Sequence, residues 1–202
     1  MIRAFLIPAA GLISSAAQGA CPVAGDLSTG IRVTFEDGIV IEYTEREPGI
    51  VEEAEIDSHD GSIYYIVTER GILEIENYSL FPDSTTPEDF VRFEYDFDKD
   101  VVFPLEPGKT DGGKQIMLNA TGEEVDQAFI RYSVGNPGRF SVGACDYEML
   151  PVQLNMNRGG SPMVIRLAYL PELDMSVVEG FYEFGYDPVL YEPLTFEVMK
   201  KK

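Results

Sequence analysis

From Gly30 to Ser79 the chain alternates apolar and polar residues with a period of two, and it reverses at short turn dipeptides. That pattern restricts the fold more than any other feature of the sequence. Ile31, Val33 and Phe35 alternate with Arg32, Thr34 and Glu36, Asp37-Gly38 follows, and Ile39, Ile41 and Tyr43 alternate on the return. A period of two places one side-chain set on each face of a strand, and Asp-Gly between two such runs predicts a hairpin with both central residues left-handed. Pro48-Gly49, Asp60-Gly61 and Arg70-Gly71 repeat the punctuation, so strands are predicted at 50–57, 62–68 and 72–78. Five successive strands with short turns make a β-meander.

The rhythm breaks between Ser79 and Asp89, where Pro82 and Pro87 flank a Ser84-Thr85-Thr86 cluster. Pro87-Glu88-Asp89 with Thr86 before it predicts one helical turn, and the segment is a candidate boundary between two lobes near 79–90. Further strands are predicted at 91–97, 101–103, 115–121, 127–134, 139–142, 146–155, 163–169 and 175–184. Only 123–130 approaches helical spacing. The aromatic tail from Phe181 to Phe196 reads as an extended strap across a sheet face. The predicted class is all-β and mainly antiparallel. So many strands must hide their edges, which implies a curved sheet, half-barrel or sandwich with at most short helices.

Residues 1–20 read as an export signal. Arg3 precedes an uncharged run from Ala4 to Ala17 that is too short to span a bilayer, and small residues follow it. Residues 21–202 then form a single β-rich domain, expected in a periplasm or outside the cell. Cys21 and Cys145 are the only cysteines, and an even pair in an exported chain predicts one disulfide. Acylation of Cys21 is the competing reading, but Gln18 occupies the position where a bacterial lipidation signal carries an apolar residue.

Acids outnumber bases 35 to 15, for a formal net charge of −20. Such a field repels nucleic acids and anionic membrane surfaces. His59, the only histidine, lies in Ser58-His59-Asp60, where three adjacent residues cannot converge as a catalytic triad. Pro107-Gly108-Lys109-Thr110 matches the end of a phosphate loop but lacks its first glycine, since Phe103 stands there. Asp96, Asp98 and Asp100 are alternate aspartates that could wrap a hard cation. Val101 and Pro107 occupy the positions where a calcium hand needs glycine and glutamate, so a solvated turn is the other reading. No cofactor loop or nucleophile elbow is present in the sequence.

Four pieces form an ordered series: Phe103-Pro104-Leu105-Glu106-Pro107-Gly108-Lys109, Tyr132-Ser133-Val134, Val142-Gly143-Ala144-Cys145-Asp146-Tyr147 and Tyr169-Leu170-Pro171-Glu172-Leu173. Across Val91–Tyr182 the chain resembles uncharacterised exported proteins of Gram-negative bacteria, including domain-of-unknown-function families with a curved antiparallel sheet. The resemblance implies a periplasmic address and a half-barrel like those of lipoprotein carriers, with no catalytic residues. The expected function is therefore a non-enzymatic binding or envelope-assembly module for a hydrophobic ligand or protein partner. A pocketless structural protein of the envelope and an acid-based hydrolase are the alternatives.

Overall fold

The computed structural model describes residues 20–58 and 60–200, so nearly all of the segment expected to be an export signal, together with His59, lies outside the described residues. Among the described residues fourteen strands form one open antiparallel sheet, with 3-10 turns at Ala24–Ser28 and Lys99–Val101. The opening meander is β1 Ile31–Phe35, β2 Val40–Glu47, β3 Ile50–Ile56, β4 Ile63–Glu69 and β5 Leu73–Leu80. It continues through β6 Glu88–Tyr95, β7 Thr110–Asn119 and β8 Glu124–Val134. Then come β9 Gly138–Val142, β10 Cys145–Arg158, β11 Ser161–Leu170 and β12 Met175–Glu183. The last two are β13 Val189–Leu190 and β14 Pro193–Val198.

Turn chemistry sets the local register. Arg70 and Gly71 both have positive φ, and the Ile72 N–H donates to Glu69, so this dipeptide is the two-residue turn that matches strand twist. Asp37-Gly38 differs from expectation because only Gly38 is left-handed. The Gly38 N–H donates to the Phe35 carbonyl and the Asp37 carboxylate accepts the Ile39 N–H at 3.0 Å. Glu36 and Asp37 thus stay right-handed, and Gly38 takes the single bulge position.

Two further expectations are corrected. Glu88 and Asp89 begin β6 rather than a helical turn, with Ser79 opposite Glu88 across an irregular register, because pairing with β5 outweighs the local cap signal. The strand expected at 101–103 is replaced by the Lys99–Val101 turn, where the Asp98 carboxylate accepts the Asp100 N–H and caps it. The strand expected at 127–134 is β8 and begins earlier, taking in most of the stretch that approaches helical spacing.

β8 and β9 run along the same edge of β10. Val134 opposes Val152, the Gly135 N–H donates to Pro151, and Gly138 opposes Met149. Pro137 has no N–H to offer, and the ladder breaks around it. The tail joins the sheet instead of crossing a face. β13 pairs with β12, β14 pairs with β1, and Tyr191 and Glu192 connect them. The Tyr191 N–H donates to Glu179 on one margin, and the Glu192 carbonyl accepts the Glu36 N–H on the other.

The sheet bends so that its inner face covers itself. A Cβ on Gly71 would lie 2.3 Å from the Ser176 nitrogen, which places the β4–β5 turn hard against the start of β12. One buried cluster joins Ile31, Val33, Phe35, Tyr43 and Val51 to Val142, Tyr147, Leu170 and Met175. A second joins Leu73, Phe93 and Met117 to Ile130, Tyr132, Leu154 and Met156. Each large apolar side chain removed from water contributes roughly 1.5–3 kcal/mol. Cys21 and Cys145 are bonded to each other, and the Tyr147 hydroxyl donates to the Pro22 carbonyl at 3.0 Å. Both fix the start of the described chain to β10.

Candidate functional site

Along β8, Ala128, Ile130, Tyr132 and Val134 are buried, and the alternate residues Phe129 and Arg131 face water. Register extends this outer face across the neighbours. Lys114, Phe129, Asn157 and Pro162 form one row over β7, β8, β10 and β11. Gly112, Arg131, Asn155, Val164 and Tyr182 form the next, reaching β12. Ser133, Gln153 and Arg166 lie in the third.

The middle row is low where it meets β7. A Cβ on Gly112 would lie 2.2 Å from the Ile130 carbonyl oxygen, so the two strands approach too closely for any side chain there. Between Phe129, Arg131, Met163 and Val164 lies a groove of about 600 Å³, within the usual range for ligand sites. A smaller hollow of about 340 Å³ lies further along the same face beside Ser133, Gln153, Arg166 and Glu179. Phe129 is 68% exposed at mid-strand, which removes it from any core role.

The groove's charges are unlike the rest of the surface. Six arginines, Arg32, Arg46, Arg70, Arg92, Arg139 and Arg158, are in ion pairs. The Arg166 guanidinium stacks 4.6 Å from the Tyr182 ring centre. Arg131 is in no ion pair among the described residues. Its cross-strand neighbours, Gly112 and Asn155, carry no charge.

On the inner face of the meander, Glu53, Thr68 and Glu74 form a second polar cluster. Burial pushes the Glu53 carboxyl up to about 8, the nearby Glu74 carboxylate adds to this, and the Thr68 hydroxyl opposes it weakly. Glu74 is itself raised by burial, with Arg158 pulling the other way. The Tyr95 hydroxyl donates to the Glu74 carbonyl at 2.6 Å and accepts from the Gln115 amide at 3.1 Å. Alternation places Glu53 and Glu55 on the same face as Val51, but 35 acids hide any particular pair. The curl of the sheet, a non-local property, is what encloses these two.

Tyr43 lies opposite Glu53, fully buried, and its hydroxyl has no hydrogen-bond partner in the structure. Burial drives its pKa well above the ordinary tyrosine value, and Glu53 and Glu55 add to the rise. Removing an unpaired buried hydroxyl while keeping the ring is neutral or favourable. Tyr43→Phe is expected to hold or raise the urea midpoint, by up to about 1 kcal/mol of stability. A clear loss would show that the hydroxyl has a partner in solution.

The alternate aspartates do not form an ion cage. Asp96 accepts the Lys114 N–H at 2.6 Å, and Asp98 accepts the Asp100 N–H at 3.0 Å. No group of three acidic, histidine or cysteine side chains among the described residues could hold a metal ion. Cys21, whose sulfur an acyl anchor would need, is paired with Cys145. No helix among the described residues is long and apolar enough to cross a membrane.

No protein-family model, curated protein or solved structure matches the chain.

Proposed function

We propose that this chain is an exported, non-enzymatic binding module that holds a hydrophobic ligand in the groove over β7, β8, β10 and β11, and that it belongs with the exported envelope proteins its second half resembles. Phe129 carries the reading: a large aromatic, 68% exposed, at the wall of a cavity of about 600 Å³. Exposed apolar surface lining a concavity marks an interaction site more often than a packing fault. The Cys21–Cys145 bond and the apolar run at residues 4–17 support an oxidising destination outside the cytosol.

Titration with an apolar dye that fluoresces on leaving water tests the binding reading. The wild type is expected to bind it, and Phe129→Ala to weaken binding by about tenfold or more, equivalent to about 1.4 kcal/mol. Because Phe129 contributes nothing to the core, the variant's melting is expected to stay within about 0.5 kcal/mol of the wild type. A wild type that leaves the dye dark would end this reading. Export is tested separately, by fractionating cells that make the full chain and weighing the intact product. A cut near residue 20 is expected, and an uncut chain retained in the cytosol would contradict it.

A further inference from the structure

We infer that the groove's ligand is a long-chain fatty-acid anion, its carboxylate held by Arg131 above Gly112 and its acyl chain lying along Phe129, Pro162 and Val164. This rests on the binding reading just given and adds the chemical identity of the ligand's head.

The chain carries 35 acidic residues, and six of its arginines are already paired with them. Arg131 stands in a groove where no carboxylate meets it. Asp111, the acid that lines the same groove, accepts the Gly112 N–H at 2.8 Å and acts on the buried Tyr132 hydroxyl on the opposite face. A guanidinium fork matches a carboxylate with two parallel hydrogen bonds. Gly112, opposite Arg131 on β7, brings no side chain of its own to compete for that fork. Arg166 repeats the theme one row along, its charge shared between the Tyr182 ring and Glu179.

The apolar part follows from the rows. From Arg131 on β8 to Tyr182 on β12 the row runs three strand intervals, about 14 Å at the usual strand spacing, room for most of an extended acyl chain. Beyond Arg131 the outer face offers Val164 and Tyr182, with Phe129 and Pro162 beside them. The net charge of −20 disfavours anions elsewhere on the surface, so a groove holding an unpaired guanidinium is where one would stay.

The test is displacement of the apolar dye by palmitate and by hexadecanol, which share a chain and differ in the head. Wild type is expected to prefer palmitate by at least tenfold, and Arg131→Met to abolish the preference while still binding hexadecanol. Equal displacement by the two in the wild type would overturn the anionic head and leave the hydrophobic-ligand reading intact. Failure of the dye to bind at all would sink the binding reading itself. A hydrophobic peptide with a free carboxyl end that displaces the dye better than palmitate would overturn the fatty acid as occupant.

Discussion

Cys145→Ala is expected to lower the stability of the fold by about 4–5 kcal/mol, the entropy released when a loop of more than a hundred residues is no longer closed in the unfolded chain. The bond joins positions 124 residues apart. It also holds the segment around Pro22 where Tyr147 donates to it, so the loss includes a buried hydrogen bond that the released segment would no longer keep in place. Alanine is the suitable replacement because Cys145 is buried and a serine hydroxyl there would need a partner. Domains of this size are stable by about 5–15 kcal/mol, so the loss is a large fraction of the total. Urea unfolding with and without reductant measures it. Cys21→Ala and the double variant should match Cys145→Ala, and a shift below about 1 kcal/mol in all three would contradict the account.

The second large effect is a fall in stability as pH rises. Glu53 titrates near 4.5 in an unfolded chain and near 8 when folded, because burial and the Glu74 carboxylate both disfavour its charge. Between those values the folded state holds a proton that the unfolded state has released. Stability therefore declines as pH rises through this window and is level on either side of it. The groups around Glu53 reinforce the direction: Tyr43 on β2 and Glu74 on β5 are raised by burial, as is Glu55 on its own strand. Thr68 on β4 is the opposing contact. Asp146 is shifted downward by Arg139 and Ser141, so its opposite contribution acts below the ordinary aspartate range.

Glu53→Gln removes the ionisation and keeps the shape. At pH 5 variant and wild type should unfold at similar urea concentrations. At pH 8.5 the variant should be more stable by on the order of 2–3 kcal/mol, less than the full shift would give because the carboxyl keeps some access to water. A wild type whose midpoint stays flat or climbs from pH 5 to 8.5 would refute the enclosed-acid picture.

The meander was legible because its information is local. Asp37-Gly38, Pro48-Gly49 and Arg70-Gly71 sit between runs whose alternation already fixes a face, so turn and strand agree. Reading failed where a short local signal met a distant partner. Pro87-Glu88-Asp89 looks like a helix start until β5 is placed beside it, and the tail looks like a strap until the margins of the sheet come within its reach. The groove was hidden for the same reason. Alternation along β8 puts Phe129 on the polar side with Gln127, Arg131 and Ser133, but nothing local says which strands wall it in. The register of β7, β8, β10 and β11 decides it, bringing together residues from 110 to 164. Arg131 is set apart only by the ion pairs that six other arginines make through space.

The pairing of β1 with β14 imposes an order of assembly. Ile31 opposes Val198, so the first of the described strands is completed by the last. Until then one flank of β1 and the bare flank of β12 remain templates for stray strands. Such distant closure slows folding. A polypeptide built this way gains from being kept extended until its whole length has been delivered.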